Sequence, residues 1–559
     1  MKLSKLMILV LTFLLSAIAV VFGVNELGSR NFPFSVIVTS DGCQEELQCM
    51  KLRNEYYIFL PSYGTEETAR IKTNLIYDVS IDGKRLTKGQ SCADFPENTK
   101  LELYFRSYKN EGYETITFVR SDNVATMYID VPSGNMEHIH KEKGNAEPGS
   151  IRIYREDGSL DYAGSLETIK GRGNATWVDD KKSYSLELSQ EADVLDMGKA
   201  RKWILLSNSY DPTHLRNKLA YDMAEAANMA YSPESIWVDL YLNGEYAGLY
   251  LLSERNEVHG QRVNIDPQRS FLVALEPDWR LEEQGYPYVQ TQNDTAFRIH
   301  YSSLPLDTVQ QIWQSAENAI FSEDGYDPIS GKYWDEIIHM ESWVQKYLLE
   351  ETLVNEDVGL ASEYFYYDAA DGLIYAGPVW DMDVSLMDAR EPWLSYKSLI
   401  AGRPHLQNEN DRHFFYELLQ KQAFRDRVRE LYRTDFRPLL LALLNDSLEE
   451  YAQQTAQASL CNQVRWNLRN PEEKVLQIAE FLRERIDFLD SYWLGDASYS
   501  IVQVKQGLRV WAYAIPTGGT LEDVPDFKSG TWCWMETGEE IDKTLPINDD
   551  VMIYLEEHS

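Results

Sequence analysis

The sequence has few cysteines for its length. Only five occur among 559 residues, and no two of them form a C-x-x-C pair, so the chain shows no cysteine-based metal pattern. The count is odd and the positions are scattered. In an oxidising compartment, Cys43 with either Cys49 or Cys92 could close one disulfide.

Basic residues are also scarce relative to acidic ones. There are 53 Lys and Arg against 89 Asp and Glu, which gives a net charge of −36. Such a chain is repelled by phosphate backbones, so general nucleic-acid binding is disfavoured. Hydrophobic residues are not lacking, since 44% of the chain is apolar and 12% is aromatic. The chain is therefore globular, and its length suggests about three or four domains.

The amino terminus predicts export. Lys2 and Lys5 precede an apolar run over residues 6–24, which has the length of a membrane span or of a long signal sequence. Ala17 and Ala19 offer a cleavage site, but apolar residues continue beyond them. We expect a retained anchor with the rest of the chain outside the membrane, or a secreted protein if the segment is cleaved.

Residue patterns divide the rest of the chain into three regions. Alternating apolar and polar residues predict a β-rich domain over 25–140, and the polar, Gly-bearing stretch 133–150 is interpreted as a linker. Residues 150–495 mix strand and helix patterns, and 497–559 returns to short strands. The predicted fold class is α+β, with small β domains on both sides of a central mixed domain.

The central region contains a series of well-marked local patterns. A Gly-bearing turn at 171–174 (GRGN) precedes a strand-like alternation at 181–189, which contains Lys182. A helix is predicted to begin at Asp211, where Pro212 suits the first turn. Two β-rich runs then flank Asn243-Gly244, the strongest short hairpin signal in the chain.

Two aspartates follow in a further strand-like pattern. A helix with apolar residues at 340, 343, 344, 347 and 348 leads to Asp357, and two short strands lead to GPVWDMDVSL at 377–386. In a strand, Asp381 and Asp383 would point to the same face and converge on one cation or reacting group. The alternative is a surface turn in which both charges are solvated.

The order of these elements is that of protein-kinase-like phosphotransferases. There, a strand Lys holds nucleotide phosphates, a first Asp orients the attacking hydroxyl and a second Asp holds Mg²⁺. Each candidate also has a structural alternative. Lys182 contacts phosphates or points to solvent, Arg172 meets phosphates or only completes its turn, and Arg216 is held by a carboxylate or by a phosphate. Glu254 pairs with a basic residue or faces an adenine.

At these residues the sequence resembles a known family, the CotH kinases, named after spore-coat protein H. The resemblance covers roughly residues 150–400, and its matching stretches are, in family order, IKGRGNATW, KKSYSLEL, KWILLSNSYDPTHLRNKLAYDMA, VDLYLNGEYAGLYLLSE and GPVWDMDVSL.

The resemblance implies an atypical, bilobal kinase-like domain that uses ATP and Mg²⁺ or Mn²⁺ to phosphorylate Ser or Thr in envelope or coat proteins. It implies that Asp357 is catalytic, that Asp381 binds the metal with Asp383 in support, and that Lys182 contacts phosphates. The family usually has an Asn a few residues after its first Asp. Here Glu363 is the candidate that could supply the corresponding ligand, and this departure puts the second metal site in question.

Three functional classes follow from these observations. The first is an extracytoplasmic CotH-type kinase whose protein substrate docks near 384–411. The second is a non-catalytic pseudokinase scaffold at the cell surface. The third is a glycoside hydrolase that uses two of the carboxylates as its acid and its base or nucleophile.

Overall fold

The computed structural model describes residues 33–556, apart from 75, 109, 387–392, 408–410, 469–470, 508 and 526–530. The predicted membrane segment 1–24 lies outside the described residues. Within the described part of the chain, no helix combines the length and the apolar character that crossing a bilayer requires.

The N-terminal β-rich region forms two sheets around its own hydrophobic core. Their strand orders are β2-β1-β5 and β3-β4-β9-β8-β6-β7. The strands are β1 (Phe34–Ser40), β2 (Cys43–Gln48), β3 (Met50–Leu52), β4 (Glu55–Leu60), β5 (Ala69–Thr73), β6 (Asp78–Ile81), β7 (Lys84–Arg85), β8 (Leu101–Arg106) and β9 (Glu111–Arg120).

The disulfide expected in this region is absent. All five cysteines are free thiols, and Cys49 and Cys92 are buried among the apolar residues of the core. Buried thiols of this kind pack as small hydrophobic side chains. The prediction of a bond between Cys43 and one of them is therefore wrong.

The next seven strands close into a barrel with the order β10-β11-β12-β13-β14-β16-β15. Alternate residues of each strand point inward and fill the barrel with apolar side chains. The strands are β10 (Ala125–Asp130), β11 (Ala146–Tyr154), β12 (Leu160–Arg172), β13 (Ser183–Asp193), β14 (Lys199–Leu206), β15 (Ser235–Leu242) and β16 (Glu245–Glu254).

The barrel corrects the interpretation of residues 133–150 as a linker. This stretch contains helix α1 (Glu137–Lys141) and the first residues of β11, while β10 pairs with both β11 and β15. The polar residues that suggested a linker form turns and the short helix α1 before residue 146, and from there on they lie at the partly exposed start of β11.

The barrel is followed by a mixed body. Its five-stranded sheet has the order β18-β19-β17-β22-β23, and the strands are β17 (Phe271–Leu275), β18 (Tyr288–Gln290), β19 (Ala296–Ser302), β22 (Glu363–Asp368) and β23 (Leu373–Ala376). A separate two-stranded ribbon is formed by β20 (Tyr326–Asp327) and β21 (Lys332–Tyr333).

Helices surround this sheet. They are α2 (Arg216–Ala226), which lies between β14 and β15 in the chain, α3 (Asp278–Gln284), α4 (Leu306–Phe321), α5 (Met340–Leu353), α6 (Phe414–Leu419), α7 (Gln422–Leu431), α8 (Arg437–Ala442), α9 (Leu448–Gln454), α10 (Ala456–Trp466) and α11 (Pro471–Leu489). Wider turns with i→i+5 hydrogen bonds occur at 432–436, 443–447 and 490–494.

The last region forms a five-stranded sheet with the order β24-β26-β25-β28-β27. Its strands are β24 (Ser398–Leu399), β25 (Tyr499–Gln506), β26 (Arg509–Pro516), β27 (Thr531–Trp534) and β28 (Val551–Glu556). We call this the C-terminal sheet. Although β24 comes from the mixed body, it pairs with β26, and the two regions share one continuous hydrophobic cluster.

The described residues therefore combine many sheets with a smaller number of helices, and the predicted α+β class is confirmed. Whether the barrel and the mixed body correspond to the two lobes of a kinase stays a prediction.

Candidate functional site

A cleft of about 490 Å³ lies where the barrel meets the mixed body. Its walls come from the end of β12, the start of β13, the end of β14, the start of α2, the residue that follows β17 and strand β19. Its remaining wall is formed by the loops that carry Asp357, Asp381 and Asp383. Ligand sites commonly have this size and this position between two bodies.

Asp357 is held by the loop that follows helix α5. The helix stops at Val354, whose φ of 53° is a left-handed value that ends the helical run. The side chain of Asn355 then donates to Glu350 Oε2 at 2.7 Å and accepts from the Asp357 amide at 3.5 Å. The helix therefore fixes the loop through a buried amide side chain.

The electrostatic surroundings of Asp357 favour its neutral form. Loss of hydration raises its pKa to about 7, and the nearby carboxylates of Asp381 and Glu356 contribute to the same shift. Arg280 and Arg509 oppose it. A carboxyl group with a pKa near neutrality is suited to accept a proton from a hydroxyl group.

Asp381 and Asp383 reach the cleft from a loop and not from a strand, which corrects the predicted strand geometry. Strand β23 ends at Ala376, and residues 377–386 contain no further strand. Asp381 has a φ of 59°, a conformation that costs energy for a non-Gly residue and that clusters at functional sites. Both carboxylates nevertheless line the cleft.

Helix α2 fixes the loop between these two aspartates. The backbone amide of Met382 donates to Asn217 Oδ1 at 2.8 Å, and Asn217 Nδ2 donates to Asn208 Oδ1 at 3.1 Å. All three residues are buried. The first turn of α2 thus holds the loop in the conformation that turns both aspartates toward the cleft.

The oxygen donors of the cleft fit a magnesium-like ion that is shared with a ligand. Among the described residues, no three His, Cys, Asp or Glu side chains form a group that could hold a metal by themselves. Mg²⁺ is usually held by one or two carboxylates together with phosphate oxygens and water. Asp381 and Asp383 would supply these carboxylates.

Arginine side chains face the aspartates. Arg172, Arg255 and Arg298 line the cleft. Burial lowers the pKa of His300 and raises that of Tyr364, and the positive charges of the three arginines push both pKa values down. Within the described ranges, no carboxylate forms an ion pair with any of these three arginines. Guanidinium groups gathered without acidic partners form a site for an anion.

Two glycines allow Arg172 to reach its position. Gly173 has a φ of 102°, and a Cβ atom on Gly171 would lie 2.0 Å from the ring of Trp177. Lys143 Nζ donates to the carbonyl oxygen of Gly173 at 2.8 Å and stabilises the turn. The Arg172 guanidinium lies 5.1 Å from the centre of the Trp380 ring, and its pKa is lowered because of burial.

A comparison with known protein families shows the family to which the chain belongs. A model described as CotH kinase protein matches residues 169–489, which is more than half of the chain. The chain belongs to the CotH kinase family. A search of the curated proteins finds no match. The CotH match contains Arg172, Asp357, Asp381 and Asp383, and it ends before most of the C-terminal sheet.

The structure of this CotH family member does not place Lys182 in the cleft. Lys182 Nζ donates to the carbonyl oxygen of Trp177 at 2.6 Å and lies 4.9 Å from the centre of the same residue's ring. The adjacent Lys181 is buried and points elsewhere, with Nζ 2.5 Å from the carbonyl oxygen of Leu249. The predicted contact between Lys182 and phosphates is therefore corrected.

Arg216 and Glu254 also lie outside the cleft lining. Arg216 Nη1 pairs with Asp211 Oδ1 at 2.9 Å, and both side chains are buried. Of the two predicted partners for Arg216, a carboxylate or a phosphate, the structure shows the carboxylate. Glu254 accepts from Arg262 Nε at 3.4 Å and from the amide of Glu234 at 3.1 Å. Of the two alternatives for Glu254, these contacts fit pairing with a basic residue.

Glu363 is buried behind the loop that carries Asp357. Its Oε2 accepts a hydrogen bond from the amide of Gly359 at 3.1 Å, and burial raises its pKa to about 7. It does not line the cleft, so the structure corrects its assignment as a metal ligand. Its contact supports the loop.

Sequence reasoning missed much of the basic lining. The cleft also contains Lys143, Lys170, Arg255, Arg280 and Arg298. Arg255 directly follows Glu254, where the sequence predicts the end of a strand. This position next to a candidate residue is the signal that could have identified Arg255. Lys170 lies within the quoted stretch IKGRGNATW, two residues before Arg172. The other three come from segments with no recognised motif, and only the fold brings them together.

Proposed function

We propose that the protein is a CotH-type protein kinase that transfers the γ-phosphate of ATP to Ser or Thr hydroxyl groups with the help of Mg²⁺ or Mn²⁺. The observation that carries the proposal is one cleft in which Asp357, Asp381 and Asp383 face Arg172, Arg255 and Arg298. Phosphoryl transfer depends mainly on positioning and on the neutralisation of oxygen charge.

The basic residues are the part of the cleft that favours a polyphosphate. The chain as a whole carries a net charge of −36, yet six Lys and Arg side chains line this cleft beside four Asp and Glu. Of the six, only Arg280 has an acidic partner in the described part of the chain, at 2.7 Å from Glu276. A triphosphate would supply the negative charge that these groups lack.

Asp357 would act on the hydroxyl group of the substrate. Its carboxylate lines the cleft, and its pKa of about 7 allows it to orient the hydroxyl and take up its proton as the new bond forms. Rigid support from α5 through Asn355 keeps the carboxylate in place.

Asp381 and Asp383 would bind the divalent ion. Such an ion neutralises charge on the transferred phosphoryl group. The protein's own contribution is the loop conformation, which the hydrogen bond from the Met382 amide to Asn217 maintains. Because Glu363 faces away from the cleft, any second ion would be held by Asp383 and by phosphate oxygens.

We further propose that the kinase acts outside the membrane on proteins of the envelope or coat. The apolar run at 6–24 behind Lys2 and Lys5 supports export. The excess of acidic residues argues against nucleic acid as a partner. A protein substrate would dock near the segment 384–411, which directly follows Asp383 in the chain.

Incubation with γ-labelled ATP and Mg²⁺ or Mn²⁺ tests the proposal. We expect label on the protein itself or on envelope proteins, and we expect Asp357→Asn to remove at least about 99% of it because the base is lost. Asp426→Asn, at an exposed position of α7, is the matched control and should retain full activity.

Other outcomes would favour the other classes. Nucleotide binding without any label transfer would indicate a pseudokinase scaffold and would refute the enzyme. Absence of nucleotide binding, together with release of reducing sugar from a cell-wall polysaccharide, would favour a hydrolase. A hydrolase would leave the arginine cluster without a role, so the structure supports that class less well.

A further inference from the structure

An ion pair connects the C-terminal sheet to the loop of Asp357. Arg509, the first residue of β26, pairs through Nη1 with Glu356 Oε1, and Glu356 directly precedes Asp357 in the chain. The Glu356 side chain is buried. The match to the CotH family ends at residue 489, so Arg509 lies outside the region that defines the family.

We propose that Arg509 is a positioning residue for Asp357, and that the C-terminal sheet is therefore part of the catalytic unit. This inference rests on the proposed kinase function. Glu356 and Asp357 are adjacent in the chain, so an ion pair that anchors the Glu356 side chain restrains the backbone that carries Asp357.

The same sheet also holds the segment that follows the metal-binding loop. Strand β24 pairs with β26 through Ser398 and Leu399. The hydroxyl of Tyr513 donates to the carbonyl oxygen of Trp393 at 2.7 Å, and Lys397 Nζ lies 3.3 Å from Asp523 Oδ1. Strand β26 is thus connected to both loops of this wall of the cleft, at Glu356 and in the segment beyond Asp383.

The local charges explain why an arginine is needed at position 509. Glu356 and Asp357 are adjacent acidic residues, and the carboxylates of Asp381 and Glu356 both act on Asp357. Without Arg509, Glu356 would be a largely buried carboxylate with a weaker set of partners, and the loop would shift to hydrate it. Asp357 would then lose its alignment.

Steady-state kinetics of Arg509→Gln provide the first test. We expect kcat to fall about tenfold, as the loss of one charged hydrogen bond predicts, while KM for ATP stays within about twofold because the arginine cluster is intact. Arg509→Lys should recover most of the activity, because it keeps the charge. Arg483→Gln, at an exposed position of α11, is the matched control and should behave as the unmodified protein.

Three results would overturn the inference. The first is an Arg509→Gln variant with unchanged kcat. The second is a parallel fall in kcat, nucleotide affinity and melting temperature, which would indicate a structural role alone. The third is an Arg509→Lys variant as impaired as Arg509→Gln.

Hydrogen exchange of the full chain separates this inference from the proposed function. Arg509→Gln should speed amide exchange in residues 355–361 at least about threefold, while Arg483→Gln should not. Faster exchange in a protein that transfers no phosphate would refute the kinase proposal but support the positioning contact. Unchanged exchange in this segment would refute the positioning contact, whether or not the protein is a kinase.

Discussion

The side-chain oxygen of Asn217 accepts the backbone amide of Met382 at 2.8 Å, and this contact connects helix α2 to the loop between Asp381 and Asp383. The two residues are far apart in the chain, and both are buried. The contact explains why the loop keeps a left-handed residue at Asp381, since a buried hydrogen bond offsets the conformational cost.

Replacement of Asn217 should therefore weaken metal use. We expect Asn217→Ala to raise the Mn²⁺ or Mg²⁺ concentration for half-maximal activity about tenfold, because one buried hydrogen bond is lost, with a smaller change in KM for ATP. A metal titration of the kinase reaction measures both. Glu225→Ala, at an exposed position of the same helix, should change neither, and an equal rise in both constants would contradict this role.

The raised pKa of Asp357 predicts a pH-dependent gain in stability on mutation. Its folded pKa of about 7 lies above the ordinary value of 3.8, so the folded state binds the proton more tightly and loses stability as pH rises from about 4 to about 7. Asp357→Asn should thus be more stable than the unmodified protein by about 4 kcal/mol at pH 8, and about equal to it near pH 4.

Chemical unfolding in EDTA at both pH values measures this difference. Asp426→Asn should show no gain at either pH. A stability difference for Asp357→Asn that is the same at pH 4 and pH 8 would show that the carboxyl group titrates normally.

The arginine cluster predicts a loss of binding without a loss of stability. Arg255 lines the cleft and is exposed, so Arg255→Gln should leave the melting temperature unchanged or slightly higher, because like charges are separated. The Kd for ATP with Mg²⁺ should rise about tenfold or more, since a charged hydrogen bond to phosphate is lost. Calorimetry gives the Kd, and Arg483→Gln serves again as the control. An unchanged Kd would remove Arg255 from the phosphate site.

Lys182 should contribute little to nucleotide binding. Its amino group is already bound to the carbonyl oxygen of Trp177 and lies outside the cleft lining, so Lys182→Gln should change KM for ATP by less than about twofold. Arg172→Gln, ten residues earlier, should raise it about tenfold or more. Measurement of KM for ATP in both variants tests the placement of Lys182. A larger rise for Lys182→Gln than for Arg172→Gln would restore the phosphate contact of Lys182 that the sequence predicts.

Local patterns predicted the elements of the fold better than their assembly. The Asn243-Gly244 turn and the helix before Asp357 depend on neighbouring residues, and both are present. The barrel could not be predicted, because its closure depends on the parallel pairing of β10 with β15 across a long stretch of chain. The polar residues of 133–150 suggested a linker because the pairing of a strand with distant partners cannot be recognised from local composition.

The candidate site was predicted in part. Asp357, Asp381, Asp383 and Arg172 meet in one cleft, and all four lie beside recognisable helix, strand or turn signals. The lysine was misplaced because Lys181 and Lys182 lie just before β13 and not on the predicted strand, and sequence does not tell which neighbours each will meet. Arg298 had no local signal, since its role depends on the pairing of β19 with β17.

The pairing of β24 with β26 has a consequence for how the chain matures. Leu399 finds its partner Ala512 only after more than 100 further residues have been synthesised, so the mixed body cannot complete its core before that point of translation. A premature stop codon within the final strands would therefore leave an incompletely folded protein with exposed apolar surface, a target for proteolysis.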